Sequence, residues 1–258
     1  MTQLRRVAII GGNRIPFARS NGAYATASNQ AMLTAALEGL IERYNLHGLH
    51  IGEVAAGAVL KHSRDMNMTR ECVLGSRLSP MTPAYDVQQA CGTGLETVLL
   101  VANKIALGQI DSGIAGGVDT TSDAPIAVNE GLRRILLQAN RAKTTADKIK
   151  TFLQLRPQHL VPDLPRINEP RTGLNMGEHC ELMAQTWQIP REAQDQLALE
   201  SHQKNGRVLC RRLAERLDDT VPWPDPGQQP APGPDPGKKL ASLKPAFEKK
   251  RQGHDDRG

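Results

Sequence analysis

The sequence predicts an α/β protein, a layered and mostly parallel sheet with helices, followed by a less regular inserted region. Three observations carry this. Short apolar runs, several closed by glycine, alternate with helical stretches from residue 6 to residue 118, and a β-α-β order favours parallel pairing. Hydrophobic residues make up 39% of the 258 residues but aromatics only 3%, so the core must be built from Ala, Val, Leu and Ile. Past Asp119 the alternation weakens and prolines accumulate, at Pro125, Pro157, Pro162, Pro165 and Pro170.

Taken in order, residues 6–11 (RVAIIG) read as a buried strand closed by Gly11 and Gly12. Segment 29–43 sets Met32, Ala35, Ala36, Leu40 and Ile41 on a helical stripe. Residues 51–59 return to strand character, 69–78 read as a short helix, and 84–88 lead as a strand into Cys91. Leu95, Val98, Leu99, Ala102, Ile105 and Ala106 then repeat at helical spacing, with Gly108 as the stop. Residues 112–118 give another buried strand. Region 120–204 reads as a loop-like domain with helices at 176–187 and 190–204, Pro190 being suited to a helix start. Beyond it, 205–238 reads as a Pro/Gly-rich aberrant segment; the stretch TVPWPDPGQQPAPGPDPGKK, which starts at Thr220, is dense enough in Pro and Gly to exclude a helix or a central strand and reads as a linker. Residues 239–258 form a short remaining segment and tail.

Composition excludes several function classes. The net charge of +5 suits an anionic small molecule but is too diffuse for a nucleic-acid partner, and exposed stacking rings are scarce. Cys72, Cys91, Cys180 and Cys210 show neither a CxxC pair nor matching histidine spacing, so no metal site or disulfide framework is expected. No apolar run approaches the ~18 residues of a membrane span. The chain opens without a signal-peptide pattern, and a cytoplasmic protein is expected.

Cys91 is the candidate catalytic residue. It stands between a predicted strand and a long apolar helix, where unpaired backbone N–H groups and the helix dipole favour a thiolate. Gly92 and Gly94 beside it would let a ligand approach the backbone.

The surrounding text sharpens that reading. QQACGTGLETV resembles the nucleophile segment of the thiolases, and VAIIGGNRIPFAR resembles their opening strand and RxPF turn. AGGVDTTSDAP is similar to their AGGxExMSxAP turn. The stretch from LNMGEHC to SHQK is similar to their loop-domain block, and KLASLKPAF to their KLxxLKPxF segment. Five blocks in family order make the resemblance specific, closest to the branch of 3-ketoacyl-CoA thiolases and acetyl-CoA acetyltransferases.

The resemblance implies the N-terminal half of the thiolase fold over 1–119, with its inserted loop domain over 120–204. It implies acyl transfer between an acyl-CoA and coenzyme A, or thiolytic cleavage of a 3-ketoacyl-CoA, through a thioester on Cys91. Met176 and Gly177 match loop-domain positions beside the thioester pocket, and Phe247 matches an aromatic near the coenzyme A moiety. Coenzyme A is then a substrate, no other cofactor is implied, and a homodimer or homotetramer is expected.

Departures from the family pattern bear on activity. Asp119 and Thr121 replace the usual Glu and Met, and Pro190 replaces a Ser or Thr. The blocks that supply the family's water-orienting Asn, its GHP histidine and its CxGGG cysteine have no counterpart in these residues. None of the seven histidines has a matching context. The expectation is a truncated chain that accepts an acyl group but turns over weakly or not at all. An unmatched sheet edge and bare helix faces would also make it poorly soluble. Plausible codons for NGRVLCRRLAERLDDTVP and for the final GHDDRG, read one base out of phase, can give thiolase-like text, which suggests that residues 205–238 and 251–258 are translated out of frame.

Three other readings compete. A nucleotide-binding oxidoreductase fails on spacing, because Asn13, Arg14 and Ile15 follow Gly11 and Gly12 where GxGxxG needs glycine. A β-ketoacyl synthase shares a helix-start cysteine but not the RxPF and MGxxxE blocks. A non-catalytic acyl-CoA- or lipid-binding protein of thiolase type is the alternative from a different class.

Overall fold

A computed structural model describes residues 4–210, 243, 244 and 246. Residues 211–242, which hold most of the Pro/Gly-rich stretch, and Phe247 lie outside the described residues, as do 251–258. Contacts group the chain into two compact units, the first running to Pro165 and the second beginning at Arg166. Residues 120–165 thus pack with the first unit.

The first unit is parallel α/β, as its alternation predicts. Helix α1 spans Asn29–Tyr44, strand β1 Val54–Ala56, helix α2 Met68–Leu74, strand β2 Ala84–Asp86, helix α3 Thr93–Ala106 and strand β3 Ile114–Ala115. The sheet order is β2-β1-β3, with Val54 paired to both Ala84 and Ile114. Hydrogen bonds continue past the strands: Val87 N–H to the Ala56 carbonyl, and Gly116 and Val118 N–H to the Ala55 and Gly57 carbonyls. The chain ends that leave this edge of the sheet are therefore held close together.

Local chemistry sets the helix limits. Ser28 caps α1 by accepting the Ala31 N–H, and Asn45, at φ 51°, closes its far end in the left-handed region. Helix α3 stops at Leu107, followed by Gly108 at φ 71° as expected. The main core joins Leu37 and Ile41 of α1, Ile51, Val54 of β1, Val73 of α2 and Leu78. Each such side chain contributes about 1.5–3 kcal/mol when fully buried. A smaller cluster gathers Ala58, Met68 and Cys72.

Two expectations fail. Residues 6–11 form no strand, and Ile9 and Ile10 are 83% and 86% exposed. The segment is tied at its ends instead: Arg5 N–H donates to the Ala106 carbonyl, and the Arg43 guanidinium donates to the Gly12 carbonyl. An apolar run becomes a strand only where a neighbour supplies the ladder, and none of the three strands does so here.

The second failure lies in the proline-marked stretch, which contains two helices, α4 (Glu130–Arg141) and α5 (Thr145–Phe152), and a 3-10 turn at Pro157–Leu160. Asn129 caps α4 and Thr144 caps α5. Few of their positions are buried, namely Ile135, Ala139 and Thr151, and the charged residues between them masked both helices in the sequence.

The second unit carries helices α6 (Met176–Thr186) and α7 (Arg191–Cys210). Pro190 directly precedes α7, as its rigid φ suits, and α7 runs past the predicted end at 204. No helix among the described residues is long and apolar enough to cross a membrane.

Candidate active site

Cys91 lies beyond the C-terminal end of β2, at the sheet edge where parallel α/β folds place their ligands. Its side chain is exposed, as a nucleophile must be to meet a substrate. The chain reaches it through Val87, Gln88, Gln89 and Ala90 and then turns into α3.

That turn is unusual. Ala90 has φ 45°, the left-handed region, where an L-residue other than Gly, Asn or Asp costs about 1–2 kcal/mol. Gly92, the N-cap of α3, sits at φ −82° and ψ −5°, an ordinary right-handed conformation. The Thr93 hydroxyl accepts the Gln89 N–H at 2.8 Å and donates to the Ala90 carbonyl at 2.8 Å. Thr93 is itself 4% exposed. One turn further on, the fully buried Thr97 hydroxyl donates to the carbonyls of Gly94 and Gly116, tying α3 to the end of β3.

Glycine is required at 57. A Cβ there would lie 1.8 Å from the Val87 carbonyl oxygen and 2.8 Å from the Thr93 methyl, so strand end and helix start approach across a bare Cα. Asp119, the residue that departs from the family's glutamate, accepts the Val59 and Leu60 N–H groups at 2.8 and 2.9 Å. It fixes the loop leaving β1.

The acidic residue behind this edge is Asp86. Burial works against its carboxylate, but the Lys61 ammonium, the Thr69 side chain and the Thr69 and Met68 N–H groups outweigh that and hold its pKa below 3.8. Cys72, by contrast, is buried, and burial pushes its thiol up to about 11, with Asp86, Asp65 and Glu71 adding to the rise. It is a packing residue.

In the second unit, Met176 and Gly177 are the first two residues of α6, Met176 exposed and Gly177 half-buried. Asn175 and Glu178 close this helix start reciprocally, each side chain accepting the other's N–H at 2.9 Å. Cys91 thus belongs to one unit, Met176 and Gly177 to the other, and Phe247 lies outside the described residues. Sequence reasoning missed Ala90, Thr93, Gly57 and Thr97 as builders of the site; of these only the T-x-x-x-T spacing within CGTGLETV was visible. Two of the histidines have partners outside this site: His62 Nε2 lies 3.2 Å from an Asp123 carboxylate oxygen, and His179 Nε2 3.1 Å from the Thr172 hydroxyl. No group of three His, Cys, Asp or Glu side chains that could hold a metal occurs among the described residues.

Comparison with known proteins places this geometry. The family model described as "Thiolase, N-terminal domain" matches residues 7–209. The 3-ketoacyl-CoA thiolase of Citrobacter koseri is 36% identical over 249 residues, covering 95% of this chain and 57% of the relative. That of Erwinia tasmaniensis is 36% identical over 256 residues, covering 96% and 58%. The crystal structure of the Bacillus anthracis acetyl-CoA acetyltransferase matches with a TM-score of 0.73 at 22% identity, covering 95% of this chain and 60% of that one, and shows a shared fold. The chain therefore spans under two thirds of the length of the curated relatives it matches. Across the strands, the cysteine-bearing turn and the helices that follow it, this chain belongs to the thiolase family.

Proposed function

We propose that this chain performs the acyl-accepting half of a thiolase reaction, with Cys91 as the nucleophile. The observation that carries the reading is the exposed thiol at the head of α3, delivered by a left-handed turn at the C-terminal edge of a parallel sheet. The substrate is an acyl-CoA, with Met176, Gly177 and Phe247 contributing to the coenzyme A site and no further cofactor required.

The chemistry balances as a thioester exchange. The Cys91 thiol gives up its proton to solvent or a base, the thiolate adds to the acyl carbonyl, and the carbon–sulfur bond to coenzyme A breaks. The departing thiolate takes up a proton, leaving an acyl group on Cys91. In thiolysis of a 3-ketoacyl-CoA the bond that breaks is carbon–carbon, and the leaving carbanion of acetyl-CoA must be protonated. That step needs an acid/base partner, for which no histidine in these residues has a matching context. Acylation without sustained turnover is the expected behaviour.

Degradation of fatty acyl chains by β-oxidation is the context we propose, a reading supported by relatives named 3-ketoacyl-CoA thiolase. A cytoplasmic homodimer or homotetramer is the setting we propose.

Incubation with acetoacetyl-CoA and with acetyl-CoA, followed by mass analysis of each cysteine peptide, tests this. Acylation of Cys91 and its loss in C91A support the reading. Robust acetoacetyl-CoA thiolysis would show that the acid/base groups are present after all. An unmodified Cys91 with both substrates would overturn the proposal, and coenzyme A binding without acylation would point to a non-catalytic acyl-CoA-binding protein.

A further inference from the structure

We propose that Thr93 is the positioning residue for Cys91, its buried hydroxyl holding Ala90 in the left-handed turn that presents the sulfur. This rests on Cys91 being the acyl acceptor. Ala90 is an alanine where an alanine should not be. Nothing in an alanine side chain favours φ 45°, and the residue is exposed, so packing on its methyl does not hold it there. The surrounding structure must over-determine the turn.

The Thr93 hydroxyl does so from both sides. It accepts the Gln89 N–H and donates to the Ala90 carbonyl, each at 2.8 Å, so one oxygen spans the backbone torsions of both residues ahead of Cys91. If Ala90 relaxed to an ordinary conformation, its carbonyl would swing away from Thr93 and the bond vector carrying the Cys91 sulfur would turn with it. The hydroxyl is aimed by its own methyl, which rests against the bare Cα of Gly57, where a Cβ would approach it to 2.8 Å. Threonine rather than serine therefore fits the position: the methyl fixes the rotamer and the oxygen fixes the turn. Thr97 anchors the following turn of α3 to Gly116, so the helix end of the arrangement does not drift.

A threonine at the first turn of a helix also caps backbone groups for stability alone. The two roles separate in the full chain when three thiols are followed together by site-resolved mass analysis. Cys91 reports the turn, exposed Cys180 controls for reagent and conditions, and buried Cys72 reports opening of the fold.

T93V keeps the shape and removes the hydroxyl. Acetylation of Cys91 by acetyl-CoA is expected to slow by at least about tenfold in T93V, the size of effect a small misplacement of a reacting atom produces. Cys72 should stay protected and Cys180 unchanged. T93S should restore much of the rate, and adding A90G to T93V should restore it too, because glycine adopts the left-handed turn without help. A90V, with Thr93 intact, should slow Cys91 as T93V does, and being at an exposed position it keeps the test open if T93V does not fold.

An unchanged Cys91 rate in T93V or A90V overturns the proposal. So does slowing accompanied by exposure of Cys72, or slowing that A90G does not relieve. Should the wild-type chain fail to be acetylated at all, the acyl-acceptor reading falls instead. The ratio of iodoacetamide labelling at Cys91 to that at Cys180 across the same variants then still decides whether Thr93 sets the turn.

Discussion

Two helix starts carry residues matched to the same family chemistry, and they are built in opposite ways. Helix α6 begins at an extended Asn175 and closes its own first N–H groups through the Asn175–Glu178 pair. Helix α3 begins behind a left-handed alanine, at a glycine that supplies no side-chain cap. Its definition comes from Thr93, one residue inside, and from a strand end packed against it at Gly57. A helix start that only has to be stable can be made from local sequence alone. The one at Cys91 combines local bonds from Thr93 with a strand end packed across Gly57, and its own early N–H groups are not closed by an N-cap side chain.

The sharpest way to break this contrast is at Gly57. G57A would place a carbon 1.8 Å from the Val87 carbonyl oxygen, so β1 and the segment before Cys91 must separate. A loss of about 3 kcal/mol or more in chemical denaturation is expected, at the top of the range for forced overpacking, together with loss of Cys91 acylation.

Asp86 comes next. D86N would remove the partner of Lys61, whose side chain is only 19% exposed, and weaken the acceptor for the Met68 and Thr69 N–H groups. Because solvent reaches part of the pair, a loss of about 1–3 kcal/mol is expected rather than the full cost of a buried orphan charge. The pH dependence has a definite sign. The folded pKa is lowered, so this stabilisation is complete above the ordinary value of 3.8 and is lost as pH falls through the folded value. Wild-type stability should drop on acidification below that value, and D86N should flatten the drop.

The smallest effect belongs to the self-contained helix start. N175A should cost about 1 kcal/mol of stability, the usual worth of a lost N-cap, and leave acylation of Cys91 unaltered. Urea denaturation and the acylation assay together check it. A large effect of N175A on Cys91 chemistry would erase the distinction between the two helix starts.

Much of the site's address was legible in the sequence, and little of its construction. A short apolar strand followed by a helical stripe placed Cys91 at a helix head because both periods are local properties. The same logic set Met176 and Gly177 at the start of α6. Ala90 gave no warning, since alanine has no preference for positive φ and the turn is held by bonds between its neighbours, among them the Thr93 hydroxyl on its carbonyl. Gly92 takes an ordinary right-handed conformation, and open space lies beside Gly94. The run RVAIIG was misread for the complementary reason: its composition is that of a strand, but pairing is decided by neighbours. Helix α4 was hidden by its polar face, although Asn129 and the spacing of Ile135 and Ala139 were the signals that mark it.

That same run bears on handling of the protein. Residues 7–11 keep the β-branched, uncharged text of a ladder-forming segment, and Ile9 and Ile10 stand in solvent between anchors at Arg5 and Gly12. Such a stretch is a template onto which a second molecule can add its own backbone, so concentrated solutions should drift toward cross-β aggregates from this end. A lysine at Ile9 would interrupt that growth without touching the sheet or the cysteine-bearing turn.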